Sequence, residues 1–583
     1  MKPSVKAFLA ILALFASLLT GSNAAQATTA SFKEGTDLAA KFFDPLAVSS
    51  ISISHYPGTP TLNILYLDSQ TYRQANITIT LPGAKPVTLT NVGIRLKGQA
   101  SRYDRKYPMK VKFDAFVKGQ KFLGLRRVTL NNMVQDPSFI HEVTAYKLYR
   151  SAGVPAPRAS YAKVTVEGQY MGLYLNIESI DKEFGNRWFP STAHIYSGPY
   201  NCDVVPGNTC YEAGIGDTNR SDLNTAGAAS TLHGEQWWNA INQVANMDNV
   251  IRLMATDVFL SNWDGYTDAV ENNHFVHFDD TGKLSIVPWG LDQTFTSDPN
   301  AYLTWDGTGA IYRNWSDHRS TMFDHCVEYA PCFTEYLKQG ARISALATSL
   351  HLAEYMTTIA DKIDPIIAGT PDLHTTSLTA LHSFQSWIPT FLTMRQGVLS
   401  NYFAGHSPRE VAVSIPSEVH VGQVIKVTIP PIWEPGVIAH IQWLLDGYPI
   451  DNQTQVSHTI TAAEVNHELS ASVSLSRNNV GDTTVQTGAY VVLAKLLSKT
   501  PTPTISGTAK VNSTLKAVSG KWDSGVSLSY QWLRGDTEIS GATATNYRLT
   551  ADDRGQQISV RITGTKANFA TSVKTSRKTL SVR

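Results

Sequence analysis

The sequence predicts an α+β chain in which one large mixed domain is followed by two small all-β sandwiches. Three observations predict it. Upstream of about residue 405, strand-like segments come first and long amphipathic helices later, the order of an α+β fold. Downstream, a duplicated unit of short alternating strands takes over. A length of 583 residues with 42% hydrophobic content is enough for several cores, about three to five domains at ordinary domain size.

Residues 1–27 read as a signal peptide. Lys2 and Lys6 precede an apolar run from Ala7 to Leu19, and Ala25-Gln26-Ala27 has the small-x-small form of a cleavage site. The run is short for a membrane span, and nothing downstream reaches about twenty apolar residues. The expectation is a secreted, extracellular protein, free or associated with the cell wall, without a membrane span after signal cleavage. Charge is nearly balanced, 49 basic against 48 acidic residues, which argues against bulk capture of nucleic acid. Cys202, Cys210, Cys326 and Cys332 form two close pairs, and export favours disulfides within each. A zinc site is the rival, but the spacings are not those of a zinc ribbon.

Within 28–405, strands are expected at Asn91–Leu96, Met109–Phe113 and Ala162–Val166. A helix follows Asp136-Pro137-Ser138, with Ser138 as its cap, and ends at Gly153 before Pro155. Val143, Tyr146, Leu148 and Tyr149 would form its apolar face. Longer helices are expected over 236–261, 344–363 and 378–402.

The segment from Phe259 to Phe295 carries the candidate chemistry. Asp264 sits in a Trp-Asp-Gly turn, Asn272 and Asn273 precede a strand, Thr281-Gly282 turns the chain, and a second strand leads to Asp292. Such a hairpin brings Asp264, Asn273 and Asp292 to one end. Phosphoryl transfer needs a carboxylate for the attacking hydroxyl, and an amide oxygen and another carboxylate for Mg²⁺. Local turn formation accounts for each of these residues singly.

Several further segments stand in the order found in the spore-coat-H (CotH) kinases. They are Gly93-Ile94-Arg95-Leu96-Lys97-Gly98, Tyr107-Pro108-Met109-Lys110-Val111-Lys112-Phe113, Leu130-Asn131-Asn132, Glu142 to Gly153 with Val154-Pro155-Ala156-Pro157, Gly172-Leu173-Tyr174-Leu175 with Glu178, Asn262-Trp263-Asp264, and Pro288-Trp289 with Asp292. The domain therefore resembles this family of atypical protein kinases. The resemblance implies an atypical protein-kinase-like two-lobed domain over 28–405, with ATP and Mg²⁺ as cofactors and protein Ser or Thr as acceptor. Asp264 and Asp292 would be catalytic, and Asn273 and Asp292 metal ligands. Lys110 would meet the phosphates, with Lys97 and Lys112 competing. Glu142 would pair with the phosphate-binding lysine, and Glu178 would line the adenine pocket. The chain departs from the family's Pro-Trp-Asp-x-Asp pattern at Gly290, with Asp268 and Asp298 as substitutes for the missing carboxylate. Two readings stand: an active exported kinase, and a catalytically inactive surface or cell-wall binding protein on the same fold. A carbohydrate-active enzyme using Asp264 and Asp292 for hydrolysis is a third.

The last third contains two copies of one unit. Trp433 matches Trp522, Gln442-Trp443-Leu444 matches Gln531-Trp532-Leu533, and Leu469 and Val473 match Ile558 and Ile562, all at one offset. The second copy resembles the Ig-like modules of exported bacterial surface proteins. The boundaries are 406–496 and 497–583, with Pro501 and Pro503 in the linker 497–504. Trp443 and Trp532 are expected in the cores. A cell-wall or surface glycan is the expected partner of these modules, beside an unknown protein substrate.

Overall fold

The computed structural model describes residues 37–583 except 64–66, 99, 269, 297–318, 370–376 and 478–479. The signal segment and Asp298 lie outside the described residues. The chain divides into two compact units between Asn401 and Tyr402.

The first unit opens with seven strands: β1 (Ser49–His55), β2 (Arg73–Thr80), β3 (Val87–Leu96), β4 (Met109–Lys112), β5 (Arg127–Asn131), β6 (Ala159–Val166) and β7 (Gln169–Glu178). They close into a barrel in the order β1-β2-β3-β4-β5-β7-β6. Every pairing is antiparallel except β1 with β6. Alternation along each strand decides what goes inside. Ile51, Ile53, Ile77, Ile79, Ile94, Leu96, Met109, Val111, Val128, Leu130 and Val164 fill the interior. The intervening residues of β3, β4 and β5 lie on the outer face: Arg95 and Lys97, Lys110 and Lys112, Arg127 and Thr129.

Nine helices are described: α1 (His141–Ala152), α2 (Lys182–Trp188), α3 (Ser221–Ala229), α4 (Gly234–Val244), α5 (Met247–Leu260), α6 (Thr321–Glu328), α7 (Ala330–Ser349), α8 (Leu352–Gly369) and α9 (Leu378–Ala404). α1 lies between β5 and β6 and is buried nearly all round, not only on the expected stripe. Ser138 does not cap it. The Asp136 carboxylate accepts from His141 N at 2.8 Å and from Ser138 N and Oγ, so the helix starts two residues later than expected. Gly153 ends it at φ 82°, where a Cβ would be strained. The helix expected over 236–261 is two helices, parted at Ala245-Asn246, where the Asn246 side chain accepts from Asn249 N.

β10 (His274–Phe278) and β11 (Leu284–Pro288) form the expected hairpin, extended by β8 (His194–Gly198) and β9 (Glu212–Ile215) in the order β11-β10-β8-β9. Disulfides join Cys202 to Cys210 and Cys326 to Cys332. Among the described residues no helix is long and apolar enough to cross a membrane.

The second unit is all-β and repeats itself. Ile438–Leu445 pairs antiparallel with Glu468–Ser476, and Ser527–Arg534 with Ile558–Thr565. Trp443 and Trp532 are fully buried, and each indole N–H donates to a backbone carbonyl at 2.9 Å, on Gln455 and Ala544. Gln442 and Gln531 make the same two main-chain bonds in each copy. The linker is not a free spacer: Ser498 and Lys499 donate to the Asp523 carboxylate.

Candidate active site

The hairpin β10–β11 and the first turn of α1 converge on one cluster of acids and amides. α5 ends at Ser261, which takes φ 49° and turns the chain into Asn262-Trp263-Asp264. Asp264 Oδ2 accepts from Asn273 Nδ2 at 2.7 Å and Oδ1 from Asn272 Nδ2 at 3.0 Å. Burial pushes the Asp264 carboxyl up to about 6, and these two amides offset part of that rise. Asn273 itself sits at φ 45°, and its backbone carbonyl accepts from Trp289 N. Among the described residues its Oδ1 accepts no hydrogen bond.

Gly290 follows at φ 56°. A Cβ there would lie 2.8 Å from Asn273 Oδ1, so this turn takes glycine on both conformational and steric grounds. Gly290 N donates to the Tyr146 hydroxyl, which in turn donates to Glu142 Oε1 at 3.1 Å. Glu142 Oε2 accepts from Asn131 Nδ2 at 2.6 Å. The Glu142 carboxylate is buried, and burial raises its pKa against the pull of Lys97, Asn131 and Tyr146.

Asp292 lies in the short turn after Gly290. Its backbone carbonyl is 3.2 Å from His141 Nδ1. Among the described residues its carboxylate has neither a hydrogen-bond donor nor an ion-pair partner. Burial, then the neighbouring charge of Glu142, hold its pKa well above the ordinary carboxylate range, with Asp264 and Asp136 adding to the rise and Lys97 opposing it. Asp292 therefore stands among three other carboxylates, with Lys97 as the cation that it and Glu142 share.

The three candidate lysines occupy different surroundings. Lys97, at the end of β3, lies with its ammonium 5.3 Å from the centre of the Trp289 ring. Lys110 is across from Arg95 and Thr129 on the barrel's outer face. Burial and then Arg95, Lys97 and Arg127 pull its ammonium down to about 8, with Glu212 opposing them. Among the described residues neither Lys97 nor Lys110 is in an ion pair. Lys112 is at the strand's end, near Tyr72. Glu178 is buried, and its carboxylate is taken up by Arg158, at 2.8 Å, and by Arg187, which lower its pKa against the effect of burial. It has no free oxygen to offer a ligand.

Asp264 and Asn273 are thus in direct contact, Asp292 is coupled through charge to Asp264 and Glu142, Tyr146 links Glu142 to the Gly290 backbone, and Glu178 belongs to a separate ion cluster. The sequence reading missed Asn131, Asp136, His141, Tyr146 and Trp289. The Asn131-Asn132 pair and the Pro-Trp dipeptide were visible as motifs without a role.

A mixed barrel-and-helix unit carrying this acid–amide cluster defines the class. The family model described as CotH kinase protein matches residues 94–398, just over half the chain, and the protein belongs to that family. It is 25% identical over 198 residues to inner spore coat protein H of Bacillus subtilis (strain 168), covering 32% of this chain and 54% of that protein. It is 43% identical over 60 residues to the inner spore coat protein H-like protein of the same organism, covering 10% of this chain and 20% of the relative. The chain spans about half the length, or less, of the curated relatives it matches. Among solved structures, titin domains A168–A170 are 15% identical over 30% of this chain and 67% of that one, with a TM-score of 0.13. The tandem Ig repeats of Dlar are 11% identical over 30% and 99%, with a TM-score of 0.11. The sandwich architecture here rests on the strand pairings and the repeat itself.

Proposed function

We propose that the protein is an exported phosphotransferase of the atypical protein kinase type, moving phosphate from ATP to Ser or Thr of surface or secreted proteins. One observation carries the reading. Among the described residues Asp292 has no donor on its own oxygens, feels the charges of Glu142, Asp264, Asp136 and Lys97, and shares the site with Asp264, whose carboxylate accepts from Asn273. Like charges held this close are costly unless a cation is shared between them. Hard oxygen donors of this kind suit Mg²⁺.

Asp292 and Asn273 Oδ1 would hold the ion. When bound, Mg²⁺ supplies charge neutralisation to the transferring phosphates. Lys97, steadied by Trp289 and by Glu142, would meet the phosphates at the site itself. Lys110, Arg95 and Arg127 extend a cationic strand face on which the rest of the polyphosphate can lie. Asp264 is ionised at neutral pH, held by two amides, and would accept the hydrogen bond of the attacking hydroxyl. The barrel with α1 and the helical region after it would be the two lobes. The two sandwiches would space or attach the catalytic unit at a wall or surface glycan.

The second reading, an inactive scaffold, is favoured by Gly290, which removes one carboxylate from the family pattern. Calorimetry of the signal-cleaved chain with ATP, with and without Mg²⁺, followed by phosphate transfer to a general protein acceptor, separates the two. Mg²⁺-dependent nucleotide binding with transfer supports the first reading. Binding without transfer supports the second. No nucleotide binding rejects both in favour of another use of the cluster.

A further inference from the structure

A second group of side chains lies outside this cluster and is built for a softer ion. His233, His325 and Glu328 each present a ligating atom, and these atoms lie within 4.8 Å of one another. His325 is on α6 and 7% exposed. Its Nε2 is 3.0 Å from the Ser230 carbonyl, which can only accept, so Nε2 carries the hydrogen. In the neutral ring Nδ1 then holds a lone pair. That nitrogen is buried without a hydrogen-bond partner, and 3.8 Å from Glu328 Oε2, too far for a hydrogen bond. A histidine fixed through its far nitrogen by a backbone carbonyl, with the near one unused, is how metal-ligating imidazoles are oriented.

The other two ligands come from exposed positions on each side. His233 flanks the start of α4, and its side chain does not cap the helix. Its ring stands edge-on to His325 with centroids 4.5 Å apart. Glu328 closes α6, one turn beyond His325. Buried Trp237 walls the site, its ring 5.4 Å from that of His325. The Cys326–Cys332 disulfide ties the same stretch to α7. Zinc bonds of about 2.0–2.2 Å put tetrahedral ligand atoms about 3.4 Å apart. The 3.8 Å pair is a few tenths from that, and the exposed side chains can close the rest.

The geometry points to a binding site for a Zn²⁺-class transition ion that clips the end of α6 to the start of α4. Two imidazoles and one carboxylate favour a borderline ion over Mg²⁺ or Ca²⁺, which take oxygen sets. Three protein ligands leave a fourth position for water. The site shares no residue with the Asp292 cluster, so it stands whether or not phosphate is transferred.

The test uses the chelator-stripped, signal-cleaved chain, titrated with Zn²⁺ by calorimetry in excess Mg²⁺, with Co²⁺ absorption as a spectroscopic probe. One Zn²⁺ per chain is expected, with a visible Co²⁺ band from mixed nitrogen and oxygen ligation. His233→Ala and Glu328→Gln, both at exposed positions, should each weaken Zn²⁺ by about tenfold or more with circular dichroism unchanged. Asp292→Asn should leave binding intact. Absence of binding below millimolar Zn²⁺, or unchanged affinity in both exposed variants, overturns the proposal.

Discussion

Replacing Asp292 with Asn should stabilise the magnesium-free protein and remove its response to magnesium. The carboxylate is raised well above its ordinary range by burial and by Glu142, so the native state ionises it reluctantly. The unfolded chain ionises it near the ordinary aspartate value of 3.8. Between those two points the folded state holds the extra proton, so stability falls as pH rises from about 4 through the folded pKa. Holding that proton, or leaving a buried, donorless charge once it is lost, costs at least about 1–3 kcal/mol, the range for an unsatisfied buried group. An amide of the same shape removes the repulsion. The expected gain at pH 7.5 is therefore about 1–3 kcal/mol, or a few degrees in Tm at about 2–4 °C per kcal/mol. Mg²⁺ at 100 times its Kd should add about 2.7 kcal/mol to the wild type and almost nothing to the variant. Differential scanning fluorimetry from pH 5 to 8.5, with and without Mg²⁺, reads both effects. A variant no more stable than wild type without Mg²⁺, or one that Mg²⁺ still stabilises fully, would refute the reasoning.

Lys97→Ala should abolish phosphate transfer and weaken ATP, whereas Lys110→Ala should weaken ATP by about tenfold and Lys112→Ala hardly at all, since Lys97 is the lysine whose charge acts most strongly on Glu142 and Asp292. Nucleotide calorimetry on the three variants checks the order. Gly290→Asp, which restores the family pattern, should destabilise by about 1–3 kcal/mol and not raise activity, because φ 56° and the contact with Asn273 both oppose a side chain. Transfer should rise with pH through about 6 as Asp264 ionises, a dependence that a pH–rate profile at saturating ATP and Mg²⁺ reads directly. Trp532→Ala should cost the last sandwich about 3–5 kcal/mol and leave transfer by the first unit unchanged, as tracked by denaturant unfolding beside the assay.

The parts legible in the sequence were those encoded by neighbours along the chain. The hairpin of β10 and β11, the αL stop at Gly153 and both disulfides follow from local pattern. The duplicated module was legible because Trp443 and Trp532 each need a buried cavity and a carbonyl for the indole, and both recur at one spacing. Barrel closure was not, because it rests on the β1–β6 and β5–β7 pairings between strands far apart in sequence. Alternation places Lys110 and Lys112 on one face, but only in three dimensions does the charge of Lys97, at the end of β3, act on Glu142. The same holds for Asp136, whose place in an Asp-Pro-Ser stretch reads as a helix start and whose charge reaches Asp292 only in three dimensions.

Gly290 is a departure from the family pattern whose local cause is visible in the structure. On paper it is a missing metal ligand and a sign of lost activity. In space, the left-handed turn at 290 lets the backbone pass within contact of Asn273 and donate to Tyr146, which holds Glu142. A carboxylate there would displace the Asn273 oxygen that the proposed ion uses. If an ion binds as proposed, Asn273 Oδ1 at the preceding strand end would supply an oxygen that position 290 does not.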